Sequence, residues 1–281
     1  MKNKLNLIWC LKSKYEIDFS FNWINEIFSE CDIIHHYDIE NKFDKFIDNS
    51  ILIVCVNDEP NHRLIDYINQ YNSKNLNYVV LHLSDEAFEQ NIDFYSVSKK
   101  ILRNYFKKEY VEKFNIMTIP LGYQTGIKYI ESPRIHDINF VGQLKSDRYE
   151  MLSKFQHINN KFFHFTRMWG DPSGLNVNQF SEVLSRSNFT LCPRGWISLD
   201  SFRINEALEC NSIPISILEK DGTDYFQNVY GTHPFIIGSD WNDAYSKMIS
   251  CVVETKRVEI TDWWKNFKQE LKIKIKQYVN E

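Results

Sequence analysis

The sequence predicts an α/β protein made of two halves, each built on a parallel sheet. Three observations point to this fold class. Short apolar, β-rich runs alternate with amphipathic stretches, as in strand–helix–strand crossover units. The alternation stops near the middle of the chain, in a stretch with glycine and proline and no clear period, and then restarts. A length of 281 residues is enough for two domains of ordinary size.

The first half contains alternating strands and helices. Ser50–Val56 is the clearest strand, because a continuous apolar run is typical of a parallel strand covered on both faces. The other predicted segments are strands at Leu5–Cys10, Asp32–His35 and Tyr78–Leu83 and helices near Phe19–Phe28 and Arg63–Tyr71. Ser96–Tyr110 is basic and aromatic and is expected to be helical in part.

The second half begins after Leu121–Arg134, which we interpret as the join. Its predicted strands are Asp137–Val141, Phe162–Phe165, Asn188–Leu191 and Ile213–Ile217. Its predicted helices are Arg148–Phe155, Gln179–Ser185, Ser201–Cys210, Asp240–Val253 and Thr261–Val279. We therefore predict an N-terminal domain at 1–125, a second domain at 126–260 and a closing helix at 261–281. Ligands of such halves bind at the carboxyl ends of the strands.

Composition and motifs exclude several classes of protein. The chain carries 33 basic and 37 acidic residues, a balance that argues against a general nucleic-acid binder. None of its six cysteines forms a CxxC pair or a zinc-type spacing, so buried thiols are expected and no metal site is predicted. No GxGxxG or GxxxxGK[ST] occurs. No signal-like or membrane-spanning run is present, so the expected location is the cytoplasm, or at most the periphery of a membrane.

The richest chemistry lies in residues 187–217. After a predicted strand come Arg194 and Gly195, a cation and a flexible residue, and then Asp200 and Ser201, which are good N-cap residues for the following helix. A helix N-terminus favours an anion such as a diphosphate. Arg194 and Arg203 are placed to add charge-assisted hydrogen bonds to the same phosphates.

Arg203 and Glu206 are three residues apart and share a face of that helix. A carboxylate at this depth in the helix reaches a ribose diol and accepts both hydroxyl protons. The alternative is an ordinary Arg–Glu pair on a solvated face, and spacing alone does not exclude it. Ile204, Ala207 and Leu208 form the face expected to pack on the core.

Several short motifs also follow one another along the chain in a defined order. The motifs CPRG, DSFRINEALE and SIPI lie within residues 192–215. Upstream lie LHLSDE, IPLGY, and NFVGQ followed by Arg148. Together these motifs resemble the signature of exostosin-type glycosyltransferases. One departure is Asn211, which stands where the family has glycine; Asn tolerates positive φ better than most residues.

The resemblance implies a GT-B fold, in which two Rossmann-like domains with parallel sheets face a central crevice. It implies a UDP-sugar donor, held mainly by the second domain, and transfer with inversion. Basic residues and a helix N-terminus replace a metal at the diphosphate, so no metal or other cofactor is expected. The implied donor-binding residues are Arg194, Gly195, Asp200, Ser201, Arg203, Glu206 and Gly142.

An inverting transfer needs a base, expected from the first half. Asp85, with Glu86 second, follows the strand Tyr78–Leu83 at its carboxyl end. The alternative for this pair is a helix N-cap and first-turn carboxylate. Arg103 is a candidate phosphate ligand, with a solvated helix face as its alternative.

The three histidines nearest the predicted strand ends have lesser roles. His82 is expected to be a hydrogen-bonded core histidine. His35 or His36 is a candidate for lining the acceptor cleft.

These expectations combine into a glycosyltransferase that moves a sugar from a UDP-sugar to a glycan hydroxyl. Its partners are the nucleotide-sugar donor and the glycan acceptor, and the sequence predicts no oligomeric state. Two alternatives stay open: a GDP-fucose-dependent, fucosyltransferase-like enzyme, and a non-catalytic nucleotide-binding adaptor domain.

Overall fold

A computed structural model describes residues 4–10, 14–38, 42–55, 61–168 and 170–280. The chain forms two compact units. Unit 1 comprises Met1–Pro120 and Lys268–Glu281, and unit 2 comprises Leu121–Phe267. Each unit contains one sheet, and the strand pairs of the described residues run parallel. The predicted α/β class with two parallel sheets is confirmed.

Unit 1 holds a six-stranded sheet in the order β2-β1-β3-β4-β5-β6. The strands are β1 Lys4–Cys10, β2 Asp32–Tyr37, β3 Ser50–Val54, β4 Tyr78–His82, β5 Ile101–Arg103 and β6 Ile116–Thr118. Ile51 of β3 pairs with Leu7 on one side and Val79 on the other. Every residue of β3 and β4 is buried, as the continuous apolar run of the central strand predicts.

Helices cover this sheet. Among the described residues of unit 1, the helices are α1 Lys14–Ile27, α2 Asn61–Ser73, α3 Lys108–Lys113 and the end of the last helix of the chain, from Lys268 to Asn280, together with a 3-10 turn at Asp93–Ser96. Tyr67, Ile68 and Tyr71 of α2 pack on the sheet residues Leu52 and Val80 in the main core cluster. The core of unit 1 is therefore rich in aromatic side chains, several of which carry a hydroxyl that needs a partner.

Unit 2 holds a five-stranded sheet in the order β11-β10-β9-β7-β8. Its strands are β7 His136–Gln143, β8 Lys161–Thr166, β9 Ser187–Leu191, β10 Ile213–Ile217 and β11 Ile236–Gly238. Its helices are α4 Arg148–Phe155, α5 Val177–Ser185, α6 Phe202–Glu209, α7 Tyr225–Tyr230, α8 Trp241–Ile249 and the first part of α9, Val253–Asn280. Ile204, Ala207 and Leu208 of α6 are fully buried, as predicted.

Several expected elements differ in the structure. The basic segment Ser96–Tyr110 is not one helical stretch, since it contains strand β5 and only the start of α3. β5 and β11 have three residues each, too few to produce a periodic pattern. The last helix, α9, begins at Val253, eight residues before the predicted start, and α8 ends earlier, at Ile249.

The six cysteines form no disulfide, and four of them are buried. Their burial matches the expected pattern of buried thiols. Among the described residues, no helix is both long and apolar enough to span a bilayer.

Candidate functional site

The segment between β9 and α6 ends on a buried polar pair. Ser201 is the N-cap of α6, as predicted, with extended backbone angles. Its hydroxyl is buried and bonds no N–H of the helix, so the usual capping bond is absent at this residue. Asp200, the residue before it, is also buried. The start of α6 is therefore a place where polar side chains lie inside the protein.

Arg203, in the first turn of α6, packs against the end of β7. Its Nε donates to the carbonyl oxygen of Val141 at 3.0 Å, and its guanidinium carbon lies 5.3 Å from the centre of the Phe140 ring. Gly142 has φ +148°, and a Cβ atom built there would lie 2.3 Å from Nη2 of Arg203. Only glycine permits this approach. The structure thus brings together the predicted residues Arg203 and Gly142.

Glu206, one turn further along α6, is 4% exposed. Burial raises the pKa of its carboxyl to about 7, although Arg203 and the main-chain N–H of Gln124 both favour the charged form. An ion pair on a solvated helix face is therefore the wrong interpretation of Arg203 and Glu206. The carboxyl is instead a buried group that titrates near neutral pH.

Arg194 lies in a different environment from Arg203. Its guanidinium forms a two-point pair with Glu219, with Nη2–Oε2 at 2.7 Å and Nη1–Oε1 at 3.2 Å. Nη1 also donates to the carbonyl of Ile197 at 2.6 Å. Glu219 follows β10, and no sequence pattern pointed to it. The predicted phosphate ligand is therefore already paired with a carboxylate.

Arg148, at the start of α4, holds the loop that carries Arg194 and Gly195. This arginine is buried, and its guanidinium donates to the carbonyls of Arg194 at 2.6 Å, Gly195 at 2.8 Å and Gln143 at 2.8 Å. A buried cation that bonds three main-chain carbonyls fixes their positions. In the sequence, only its position after the NFVGQ motif distinguished Arg148 from other arginines.

The carboxyl ends of β4 and β5 in unit 1 carry a closed ring of hydrogen bonds. Nη2 of Arg103 lies 3.3 Å from Oδ2 of Asp85, and Nη1 donates to the Tyr95 hydroxyl at 2.8 Å. That hydroxyl lies 2.7 Å from Nδ1 of His82, and Nε2 of His82 lies 2.7 Å from Oε1 of Gln90. The main-chain N–H of Gln90 returns to Oδ1 of Asp85 at 3.2 Å.

The direction of each bond in this ring follows from its donors. Arg103 can only donate, so the Tyr95 hydroxyl accepts from it and donates to Nδ1 of His82, which leaves Nε2–H to donate to Gln90. Burial, with the nearby Arg103, lowers the pKa of His82 to about 3, so His82 is a neutral, hydrogen-bonded core histidine, as expected. Burial raises the pKa of Asp85, against the pull of Arg103 and the Gln90 N–H.

Arg103 itself lies at the end of a strand and is 1% exposed, so the expected alternative of a solvated helix face is wrong. Its guanidinium also stacks near the rings of Phe88 and Tyr110, at 5.2 and 5.0 Å. A phosphate-binding role for Arg103 stays a prediction. Glu86, next to Asp85, is half-buried.

His35 and His36 are both held by side chains of unit 1. His35 accepts from Nε1 of Trp9 at 3.0 Å and bonds Oδ1 of Asn25 at 3.0 Å, and His36 bonds Oδ1 of Asn6 at 3.0 Å. Burial lowers the pKa of both histidines. Their place in an acceptor cleft stays a prediction.

Comparison with known proteins assigns the family. A family model described as the RXYLT1 C-terminal domain matches residues 122–281, more than half of the chain. The chain belongs to the RXYLT1 C-terminal domain family. No curated protein matches the sequence. The match to this xylosyltransferase-related family confirms the predicted resemblance to glycosyltransferases. Membership of the exostosin type stays a prediction.

Two solved structures are similar to this chain. The first is a DNA-modifying β-glucosyltransferase, studied with and without uridine diphosphoglucose; it is 11% identical, with a TM-score of 0.54, and the match covers 99% of this chain and 100% of the enzyme. The second is an α1,3-fucosyltransferase; it is 13% identical, with a TM-score of 0.49, and the match covers 92% of this chain and 81% of the enzyme. The similarity to the β-glucosyltransferase shows that this RXYLT1-type chain has the predicted GT-B fold.

Within unit 2 of this RXYLT1-type domain, the matched residues bring a cation, a buried carboxyl and a helix N-terminus to one edge of the sheet. A guanidinium and a helix N-terminus suit an anion, and a buried carboxylate suits a pair of hydroxyls. Among the described residues, no group of three or more His, Cys, Asp or Glu side chains is arranged to hold a metal ion.

Proposed function

We propose that this chain is an inverting glycosyltransferase that moves a sugar from a UDP-sugar to a hydroxyl of a glycan acceptor without requiring a metal. One observation carries the proposal. Glu206 and Arg203 stand one turn apart at the start of α6, the first buried and the second held against Gly142 at the end of β7. A buried carboxylate is costly unless hydrogen-bond donors or cations offset the cost, and a ribose diol offers two donors of the right kind.

The donor contacts divide by chemistry. Glu206 accepts from the ribose hydroxyls. Arg203, with the N-terminus of α6 and the buried hydroxyl of Ser201, binds the diphosphate. Arg194, Gly195, Asp200 and Gly142 shape the surrounding loops, and Arg194 reaches a phosphate only if its pair with Glu219 opens.

The reaction is a single displacement. A carboxylate takes the proton of the acceptor hydroxyl, the acceptor oxygen forms a bond to the anomeric carbon, and the bond from that carbon to the diphosphate oxygen breaks. The electron pair leaves on the diphosphate, whose added charge Arg203 and the helix N-terminus stabilise. Inversion at the anomeric carbon follows from attack on the face opposite the leaving group.

The proposed base is one of the two first-half carboxylates, and exposure favours Glu86, which is half-buried whereas Asp85 is almost completely buried. Both oxygens of Asp85 already accept hydrogen bonds, from Gln90 and from Arg103, and Asp85 is 3% exposed. A base needs a lone pair within reach of the acceptor proton. Asp85 and Arg103 then act as positioning residues that fix the turn on which Glu86 lies. A cytoplasmic location is kept as a prediction.

Calorimetric titration with UDP and GDP tests the donor class, first in EDTA and then with Mn²⁺. The proposal expects UDP binding in EDTA. Preference for GDP would favour the fucosyltransferase-like alternative, and a requirement for Mn²⁺ would contradict the metal-independent part. Binding of neither nucleotide would favour a non-catalytic domain.

Two variants sharpen the titration. Glu206→Gln should weaken UDP binding by about 1–3 kcal/mol, the scale of hydrogen bonds to a charged acceptor. Glu182→Gln, in an exposed ion pair on α5, is the matched control and should leave UDP binding unchanged. Donors are then screened with UDP-xylose, for the family, and UDP-glucose, the substrate of the β-glucosyltransferase neighbour.

A further inference from the structure

The loop between β9 and α6 distributes its side chains in an unusual way. From Leu191 to Cys210, all of it described, the exposed residues are Trp196 and Ile197, which are 66% and 42% exposed. The polar residues Ser198, Asp200 and Ser201 are buried in the same stretch. Loops ordinarily do the opposite, because apolar surface is costly in water and buried polar groups need partners.

This arrangement is held firmly in place. Arg148 bonds the carbonyls of Arg194 and Gly195, the two residues before Trp196. The N–H of Gly195 donates to the carbonyl of Ser198 at 2.7 Å, and Arg194 donates to the carbonyl of Ile197. The main chain on both sides of the exposed pair is thus fixed by hydrogen bonds. Trp196 is presented by a fixed turn whose backbone cannot easily rearrange to bury the ring.

We propose that Trp196, supported by Ile197, stacks on the apolar face of a pyranose ring of the acceptor glycan. This inference rests on the proposed function, because it assigns the acceptor of that reaction. An indole ring offers a large, flat apolar surface at low entropy cost, and the C–H face of a sugar is its natural complement. The turn is followed directly by α6, so the ring lies in the loop that leads into the donor-binding helix.

The choice of sugar over nucleotide base follows from the polar groups of the turn. A base is recognised by hydrogen bonds to its edge as well as by stacking. The carbonyls of Arg194, Gly195 and Ile197 and the N–H of Gly195 already have partners within the protein. The turn therefore presents the Trp196 ring as a stacking surface, while the main-chain groups that already have partners are not available to bind the edge of a base.

Saturation-transfer NMR tests this assignment on the full chain with UDP present. The probes are the methyl β-glycosides of xylose, glucose, galactose and glucuronic acid. At least one should receive saturation on the C–H protons of one ring face in the wild-type protein. Trp196→Ala should lose this signal, and Trp196→Phe should keep part of it. Ile249→Ala, which removes an equally exposed apolar side chain at the end of α8, should keep all of it.

Two results would overturn the proposal. One is the absence of a signal for every glycoside with the wild-type protein, and the other is an unchanged signal in Trp196→Ala. UDP affinity is measured in the same variants and should change less than about threefold in Trp196→Ala; a loss of about tenfold or more would assign the ring to the donor base instead. A glycoside signal that depends on Trp196 in a protein that binds no nucleotide would retain the stacking site and reject the UDP-sugar transferase.

Discussion

Two carboxyl–arginine pairs among the described residues, Asp85 with Arg103 in unit 1 and Glu206 with Arg203 in unit 2, have different surroundings. Asp85 and Arg103 in unit 1 belong to a ring of hydrogen bonds that closes on itself through Tyr95, His82 and Gln90. In unit 2, Arg203 donates to the main-chain carbonyl of Val141, and the buried carboxyl of Glu206 accepts from the main-chain N–H of Gln124.

We interpret the first pair as part of a structural network and the second as part of the proposed donor site. Burial raises the pKa of both carboxyls, so both are costly as charged groups. In unit 1, a direct bond from the arginine and a ring of side chains offset that cost, which favours a fixed local structure. In unit 2, burial outweighs the favourable effects of Arg203 and of the Gln124 N–H and raises the pKa of Glu206 to about 7, a value common for carboxyl groups at functional sites. Variants in both units test this comparison.

The largest effect is expected from Arg103→Met. It leaves the Asp85 carboxyl buried without its cation and breaks the ring, so the free energy of unfolding should fall by about 3–5 kcal/mol. Urea denaturation followed by circular dichroism measures the loss. Arg186→Met, which removes a half-exposed helix ion pair, is the control and should cost less than about 1 kcal/mol. Similar stability of the two variants would contradict a structural role for the ring.

If Arg103→Met does not fold, Tyr95→Phe tests the same ring. It removes the hydroxyl that links Arg103 to His82 and should cost about 1–3 kcal/mol, because it leaves buried groups without a partner. No loss of stability in Tyr95→Phe would show that the ring contributes little.

The next largest effect is expected from Gly142→Ala. The new Cβ would meet Nη2 of Arg203, and the positive φ adds strain of about 1–3 kcal/mol. Because the guanidinium must move, UDP affinity should fall by about tenfold, measured by calorimetry. Gly231→Ala is the control, since Gly231 also has a positive φ but nothing lies within 4 Å of the added Cβ. Unchanged UDP binding in Gly142→Ala would remove Arg203 from the donor site.

Glu206 should make UDP binding depend on pH. The charged carboxylate accepts the ribose protons, and its pKa is about 7, so affinity should rise from pH 6 to pH 8 by about tenfold. Glu206→Gln should abolish this dependence. A pH-independent wild-type affinity would contradict the ribose contact.

The same carboxyl acts on stability in the opposite direction. A folded-state pKa above the unfolded value of about 4.5 means that the folded protein binds the additional proton. Stability should therefore be greatest at acidic pH and fall as pH rises through 7, by about 1–3 kcal/mol between pH 5 and 8 from this group. Glu206→Gln should lose that part of the fall, measured by denaturation at both pH values.

The smallest effect is expected from Glu219→Gln. Its pair with Arg194 is about a quarter exposed, so stability should change by less than about 1 kcal/mol. The released guanidinium should improve UDP affinity by about two- to fivefold at low salt. Arg194→Met in the same titration should remove that gain, and equal affinity in all three proteins would place Arg194 outside the donor site.

The sequence predicted those strands and helix faces that a local pattern of residues encodes. The apolar runs of β3 and β4 identified central strands, and the face of α6 with Ile204 and Leu208 was identified by its spacing. Glu206 was singled out because a motif and a helical spacing coincided; the structure shows that it is buried, and its role in donor binding stays a prediction.

What remained hidden depends on contacts between distant residues. Arg103 lies in a run of lysines, which predicts a solvated surface, and its burial follows from the carboxylate of Asp85, 18 residues earlier. Glu219 pairs across 25 residues and Arg148 across 46, and neither has a local signal. The need for glycine at 142 arises only once Arg203 packs against it.

The last helix has a consequence for synthesis. Lys268–Glu281 belongs to unit 1, where Leu271, Ile275 and Val279 are buried and the Tyr278 hydroxyl bonds the backbone of Ile101 in β5. The ribosome therefore makes the rest of unit 1 first and its final segment last, after all of unit 2. A nascent unit 1 has to wait, incompletely packed, while some 150 further residues emerge, a delay of about 10 s at typical elongation rates.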